Sequence, residues 1–226
     1  MSALVRMRIA GFVRGGRALP PLIAVLVELG IIYGGGASPA AVAYGYSAAA
    51  LFPVLAWLTK LLLDTEPDVQ RRLARLSAGP AREATAGILA AVALSFVVCA
   101  AAMAAPWLFN GIDTSKSLGS GIALGILAHL LAVPSAVAVG ALSSRAVTGS
   151  VRLGVMVLVV SAVLVVVLGL SGSFAPWLVP PVMATARALN DAAAPPTGTL
   201  ALLVAWAAAW CAVAFTGYGW LRRARS

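Results

Sequence analysis

Apolar residues in this chain run in long unbroken stretches, and the polar residues gather in short groups between them. Six stretches stand out, at 18–33, 40–63, 87–109, 121–142, 153–170 and 199–220. Most approach the ~20 apolar residues that carry a helix across roughly 30 Å of hydrocarbon. A membrane strand would alternate polar and apolar residues over about ten positions, so continuous runs predict helices. The first stretch is the weakest, being short and containing Glu28. A tight turn, Gly34-Gly35-Gly36 followed by Ser38-Pro39, joins it to the second and leaves no room for a domain.

Two connections are longer than a turn. In the segment 64–86, Asp64, Glu66 and Asp68 open a helix with Pro67 at its first turn, where proline and negative charge both fit. Val69, Leu73 and Leu76 follow at helical spacing, with Arg71 and Arg75 on another side, until Gly79-Pro80 stops the run. This predicts a short amphipathic helix at the inner membrane surface. The segment 171–198 is too apolar at Trp177, Leu178, Val182 and Met183 for an ordinary exposed loop, and Pro176, Pro180 and Pro181 forbid a straight span. A broken segment dipping partway into the bilayer fits best, tolerated where protein buries its backbone. An interfacial helix with Trp177 at headgroup depth is the alternative.

Composition adds the solvent. Charged residues make up 10% of the chain and hydrophobic ones 62%, against roughly 25% charged in a soluble domain. A core of this size could not hide so much apolar surface from water, so lipid must cover it. The net charge of +9 sets orientation rather than nucleic-acid binding, because the basic residues sit in short groups between apolar runs. With the N-terminus inside, fourteen of the sixteen Lys and Arg fall on the cytoplasmic side, and Lys116 and Arg187 fall outside. That bias follows the positive-inside rule. Arginines at both ends argue for an even number of spans. No clean small-residue cleavage site follows the first run, which is therefore read as a retained span and not a secretory signal. The expected fold class is all-α: a polytopic membrane protein of the cell membrane with six transmembrane helices and both termini cytoplasmic. A basic segment at 1–17 leads into the six-helix domain at 18–220, and 221–226 form a tail.

Candidate chemistry is sparse. Neither Lys60 nor Lys116 follows the glycines of a P-loop, and there is no HExxH and no CxxC pair. Cys99 and Cys211 lie in apolar runs and read as buried small hydrophobes. Gly169-Leu170-Ser171-Gly172 matches the GxSG of rhomboid-type proteases, but the one histidine, His129, precedes the serine, whereas rhomboids place it in a later helix. No catalytic site and no metal site is expected. Apart from Glu28 and His129 the spans are nearly devoid of titratable groups, and such groups usually face the bundle interior or a cavity. Each is a candidate for a substrate path or for a structural hydrogen bond. GIIYG at 30–34 and GIALG at 121–125 match the small-xxx-small pattern of close helix approach.

This layout resembles the membrane subunit of an exporter of the ABC type-2 permease family. The features that carry the resemblance are the basic N-terminal segment, six spans with both ends inside, the amphipathic helix at 64–76, and the proline-broken segment before the last span. It covers the whole chain and is one of architecture. It implies that 1–17 forms an interfacial elbow helix, weakened by Gly11, Gly15 and Gly16. It implies a coupling helix in which Asp64, Glu66, Asp68, Arg71, Arg72 and Arg75 meet a separate ATPase chain. The segment 174–189 would be a re-entrant outer gate carrying Trp177, Val182 and Met183. ATP and Mg would reside on the ATPase, with no cofactor in this chain. A second permease chain, identical or a paralogue, and membrane lipids would complete the assembly, without nucleic acid. The scarcity of polar groups in the spans suits a hydrophobic or amphipathic cargo such as a lipid, peptide or antibiotic. Two other classes compete: a stand-alone secondary transporter or channel, and a non-transport membrane protein such as an immunity or assembly factor or an intramembrane enzyme.

Overall fold

The computed structural model describes residues 1–115, 117–190 and 194–224, and the backbone but not the side chain of Asp68. Lys116, Arg225, the stretch 191–193 and the Asp68 side chain thus lie outside the described residues. Ten helices are formed within them: α1 (Ser2–Arg14), α2 (Leu19–Tyr33), α3 (Ala40–Leu63), α4 (Asp68–Ala78), α5 (Pro80–Leu108), α6 (Leu118–Leu142), α7 (Arg145–Thr148), α8 (Val151–Gly169), α9 (Val182–Asn190) and α10 (Thr197–Ala224). Two short parallel strands, β1 (Ser38–Pro39) and β2 (Ile112–Asp113), tie the turn before α3 to the turn before α6.

Five helices, α3, α5, α6, α8 and α10, are long and apolar enough to cross a membrane. The chain is a multi-pass membrane protein. The sixth expected span is different. Helix α2 has 15 residues, about 22 Å at 1.5 Å per residue, short of the roughly 30 Å of a bilayer core. It is long and apolar enough to cross a membrane only together with α1, from which it is bent by 77°. The break falls at Gly15-Gly16, where Gly16 takes φ +69, a conformation that costs glycine little. Of the glycines expected to weaken the N-terminal helix, Gly15 and Gly16 end it, and Gly11 is carried inside α1.

Helices α3 and α6 form the centre and pack against each other more closely than any other pair. Glycines on one face of α6 allow this. A Cβ on Gly125 would stand 2.6 Å from the Tyr44 ring and Cβ, and one on Gly140 would stand 2.4 Å from the Ala56 carbonyl oxygen. Ala132 and Ala136 continue the same buried seam, the small-residue packing that brings membrane helices together. Of the two small-xxx-small matches, 121–125 therefore serves helix approach, whereas nothing lies across from Gly30. Helix α8 is peripheral and turns Val155, Val159, Val163 and Val166 outward. An apolar exterior of that extent suits lipid, not water.

Candidate functional site

The basic residues converge on one end of the bundle, around the turn that enters α4. Asp64 caps α3 and is nearly buried. Lys60, one helical turn earlier, reaches its Oδ2 at 2.7 Å, and the Arg145 backbone N–H donates to its Oδ1 at 2.8 Å. The Arg145 guanidinium donates to the carbonyls of Asp64 and Glu66, each at 3.3 Å, and Arg17 donates to the Asp64 carbonyl at 3.2 Å. Gly154 makes room for Lys60, since a Cβ there would stand 2.9 Å from Lys60 Cε. Basic groups from three separate parts of the chain thus fix the 64–67 turn.

A second ion network lies beside the first. Glu83, in the first turn of α5, is 1% exposed. Arg8 of α1 and Arg222 of α10 both pair with it, one on each carboxylate oxygen, and Arg75 of α4 approaches Oε2 at 3.5 Å. Arg8 also makes a two-bond fork with Glu66, at 3.0 and 2.9 Å, and passes over Gly87, where a Cβ would collide with its guanidinium. Tyr218 accepts a hydrogen bond from Arg222 at 2.7 Å. Charges this deep are costly to bury and costly to leave unpaired. The network therefore holds α1, α4, α5 and α10 in one arrangement.

The consequence for α4 is an inverted orientation. Arg71 is buried and Arg75 faces Glu83, while Val69, Leu73 and Leu76 are 69%, 60% and 85% exposed. Of the six charged residues proposed to meet a partner, Asp64, Glu66, Arg71 and Arg75 are engaged within the chain or buried, and Arg72 is exposed. The outward surface of α4 carries an apolar stripe, Val69, Leu73 and Leu76, flanked by the exposed Gln70, Arg72 and Ser77. A groove of about 600 Å³ runs between α1 and α4, with Leu4, Met7 and Leu73 on its sides and Arg8 and Glu66 at its base. Gly79, at φ +86, ends α4 and starts α5 without an intervening loop.

The other candidates lie elsewhere. His129 is buried between α3 and α6. Its Nδ1 donates to the Gly125 carbonyl at 2.8 Å, since a carbonyl can only accept. Its Nε2 faces Ser47 Oγ at 3.5 Å, and Tyr44 meets the ring edge-on. The serine beside His129 is thus Ser47 and not Ser171. Glu28 sits half-buried on α2, its Oε2 buried without a hydrogen-bond partner. No hydrogen bond joins Glu28 to His129.

Toward the opposite end, the chain between α8 and α10 turns at Pro176–Leu178 and returns through α9. Trp210, at the midpoint of α10, donates its indole N–H to the Leu178 carbonyl at 2.9 Å. Val182 is buried, Met183 rests on Gly169, and Trp177 is exposed. Leu189 closes a small cluster with Ala48, Ala128 and Ala132.

Glu83, Arg8 and Arg222 were not singled out by the sequence as site residues. Glu83 carried one signal, an acidic group three residues after a helix-opening proline. Its arginine partners lie 75 and 139 residues away. Compared with protein-family models, curated proteins and solved structures, the chain matches none.

Proposed function

We propose that this chain is the membrane-spanning subunit of an ATP-driven exporter of the ABC type-2 permease kind, taking its energy from a separate ATPase chain. The observation that carries the reading is α4. It is a short helix between two spans whose base is anchored by buried ion pairs and whose outer face exposes an apolar stripe, Val69, Leu73 and Leu76. With the arginine-rich end in the cytoplasm, as the positive-inside rule directs, that face is offered to a soluble protein. Helices α3 and α5 flank α4 directly, and Glu83 links it to α1 and α10. A displacement of α4 by ATPase closure would therefore move four helices together. Val69, Leu73, Leu76 and Arg72 form the docking surface, with ATP and Mg held by the partner.

On this reading α1 lies along the inner membrane surface and α2 with five longer helices completes six spans. The segment from Ser171 to Asn190 is a re-entrant outer element, supported by the reach of the Leu178 carbonyl to the middle of α10. The path for an apolar or amphipathic cargo runs between this chain and a second permease chain. The buried, unpartnered Oε2 of Glu28 favours one competing reading, a proton-coupled carrier.

Purification of the tagged chain in mild detergent from its native host tests the proposal. A P-loop ATPase is expected to co-purify with the wild type and to be lost from a Val69→Ser, Leu73→Ser, Leu76→Ser variant. A chain that purifies without any ATPase, and transports in proteoliposomes under a proton gradient in a way that Glu28→Gln abolishes, overturns it in favour of the carrier.

A further inference from the structure

At the arginine-rich end, α5 and α10 are joined by the Glu83–Arg222 pair and leave a cleft of about 530 Å³ between them. Its two walls are single helix faces, with Ile88 on α5 and Phe215 and Gly219 on α10, and Arg75, Arg222 and Arg223 line it as well. The apolar part of the cleft lies along membrane-crossing helices, and its basic part lies where those helices end. No carboxylate lines it among the described residues.

The charge balance behind the cleft is uneven. Arg75 and Arg222 converge on one oxygen of Glu83, and Arg8 takes the other. Glu66 adds a single negative charge, on Arg8. Among the described residues, three guanidinium groups therefore share two carboxylates, and the excess positive charge is held in a largely desolvated place, where uncompensated charge is expensive. An anion supplied from the cleft side would offset it. Guanidinium groups suit phosphate oxygens in particular, through paired N–H donors.

We propose that the α5–α10 cleft is a binding site for an anionic phospholipid of the leaflet at this end. The phosphate lies against Arg75, Arg222 and Arg223, and an acyl chain runs along Ile88 and Phe215. The apolar wall selects an amphiphile over a soluble phosphate, and the excess of arginine selects an anionic headgroup over a zwitterionic one. Basic pockets between membrane helices take anionic headgroups by this physics. Because the ligand completes the Glu83 network, it also fixes the base of α4. The site stands whether or not the exporter reading does.

The test is thermal unfolding of the delipidated, full-length protein in detergent, titrated separately with dioleoyl phosphatidylglycerol, dioleoyl phosphatidylcholine and glycerol phosphate. A ligand that binds only the folded state raises the midpoint with the logarithm of its concentration relative to Kd. Phosphatidylglycerol is expected to raise it by several degrees, and the other two to leave it unchanged. Arg222 also anchors Glu83, so the informative variants are Gly219→Leu, which fills the cleft, and Arg223→Gln. A Cβ at Gly219 would meet only the Arg223 side chain, at 3.9 Å, so the leucine has space to enter. Gly219→Leu should keep the wild-type midpoint without lipid, and each variant, measured against its own lipid-free midpoint, should lose about tenfold in apparent affinity for phosphatidylglycerol, a change of ~1.4 kcal/mol. Equal stabilisation by phosphatidylcholine, stabilisation by glycerol phosphate at matched concentration, or an undiminished response in Gly219→Leu would each overturn the site.

Discussion

Helices α4 and α9 are both short amphipathic connections between longer helices, yet they face opposite ways. Val182, Ala186 and Leu189 of α9 are buried, whereas Val69, Leu73 and Leu76 of α4 are exposed. The difference comes from what each helix packs on. Small residues receive α9: Gly45 lies beneath Ala186 and Leu189, and Gly169 beneath Met183. Burying a side chain the size of leucine contributes about 1.5–3 kcal/mol, so α9 turns its apolar side inward. Helix α4 meets no such surface. Beneath it is the buried carboxylate of Glu83, which draws Arg75 inward and leaves the leucines out. Amphipathicity therefore marks a helix that lies on a boundary, and the nearest buried charge decides which face it turns to the protein.

The largest effect on this comparison is expected from Glu83→Ala. It leaves Arg8, Arg75 and Arg222 crowded without their shared carboxylate, and breaking buried pairs in this way costs about 3–5 kcal/mol. Thermal unfolding in detergent would read the loss, and trypsin should cut α4 faster at Arg72 and Arg75 as the helix loosens. Leu189→Ala comes next. It opens a cavity beside Ala48, Ala128 and Ala132, for about 2–5 kcal/mol at a fully buried leucine, and should leave the tryptic rate within α4 unchanged. If both variants loosened α4 equally, the two helices would not be independently held.

Smaller effects sharpen the contrast. Trp210→Phe removes the hydrogen bond to the Leu178 carbonyl and should cost about 1 kcal/mol, read as a modest fall in the unfolding midpoint. Leu73→Ser changes an outward residue and should alter stability by no more than about 0.5 kcal/mol. Under the proposed function it nevertheless weakens ATPase binding. A large stability loss in Leu73→Ser would show that the outer face of α4 is already packed.

Much of this architecture was legible from the apolar runs. The expected span 40–63 coincides with α3, and 121–142 falls within α6. Long continuous stretches leave few alternatives to a membrane helix. Helix α5 begins at Pro80, seven residues before its apolar run, because proline and an acidic residue such as Glu83 both suit the first turn of a helix. The helix at 68–78 was legible from its pattern, but its orientation was not. Spacing groups Val69, Leu73 and Leu76 on one face and says nothing of what that face meets. The Glu83 network was hidden for a related reason. Arg8 and Arg222 read as ordinary basic residues of the two termini, and only the closing of the bundle sets them on one carboxylate. The first expected span, short and carrying Glu28, is the 15-residue α2, bent by 77° from α1.

The most direct test of the central claim, that α4 offers an apolar face to a soluble partner, is photo-crosslinking in the native host. A benzophenone amino acid is placed at Leu76, the most exposed leucine of α4, and a second at Leu189 as a buried reference. A light-dependent adduct is expected between position 76 and an ATP-binding protein, and only internal crosslinks from position 189. Adducts at position 76 made with lipid alone would contradict it, and α4 would then be a helix that rests on the membrane.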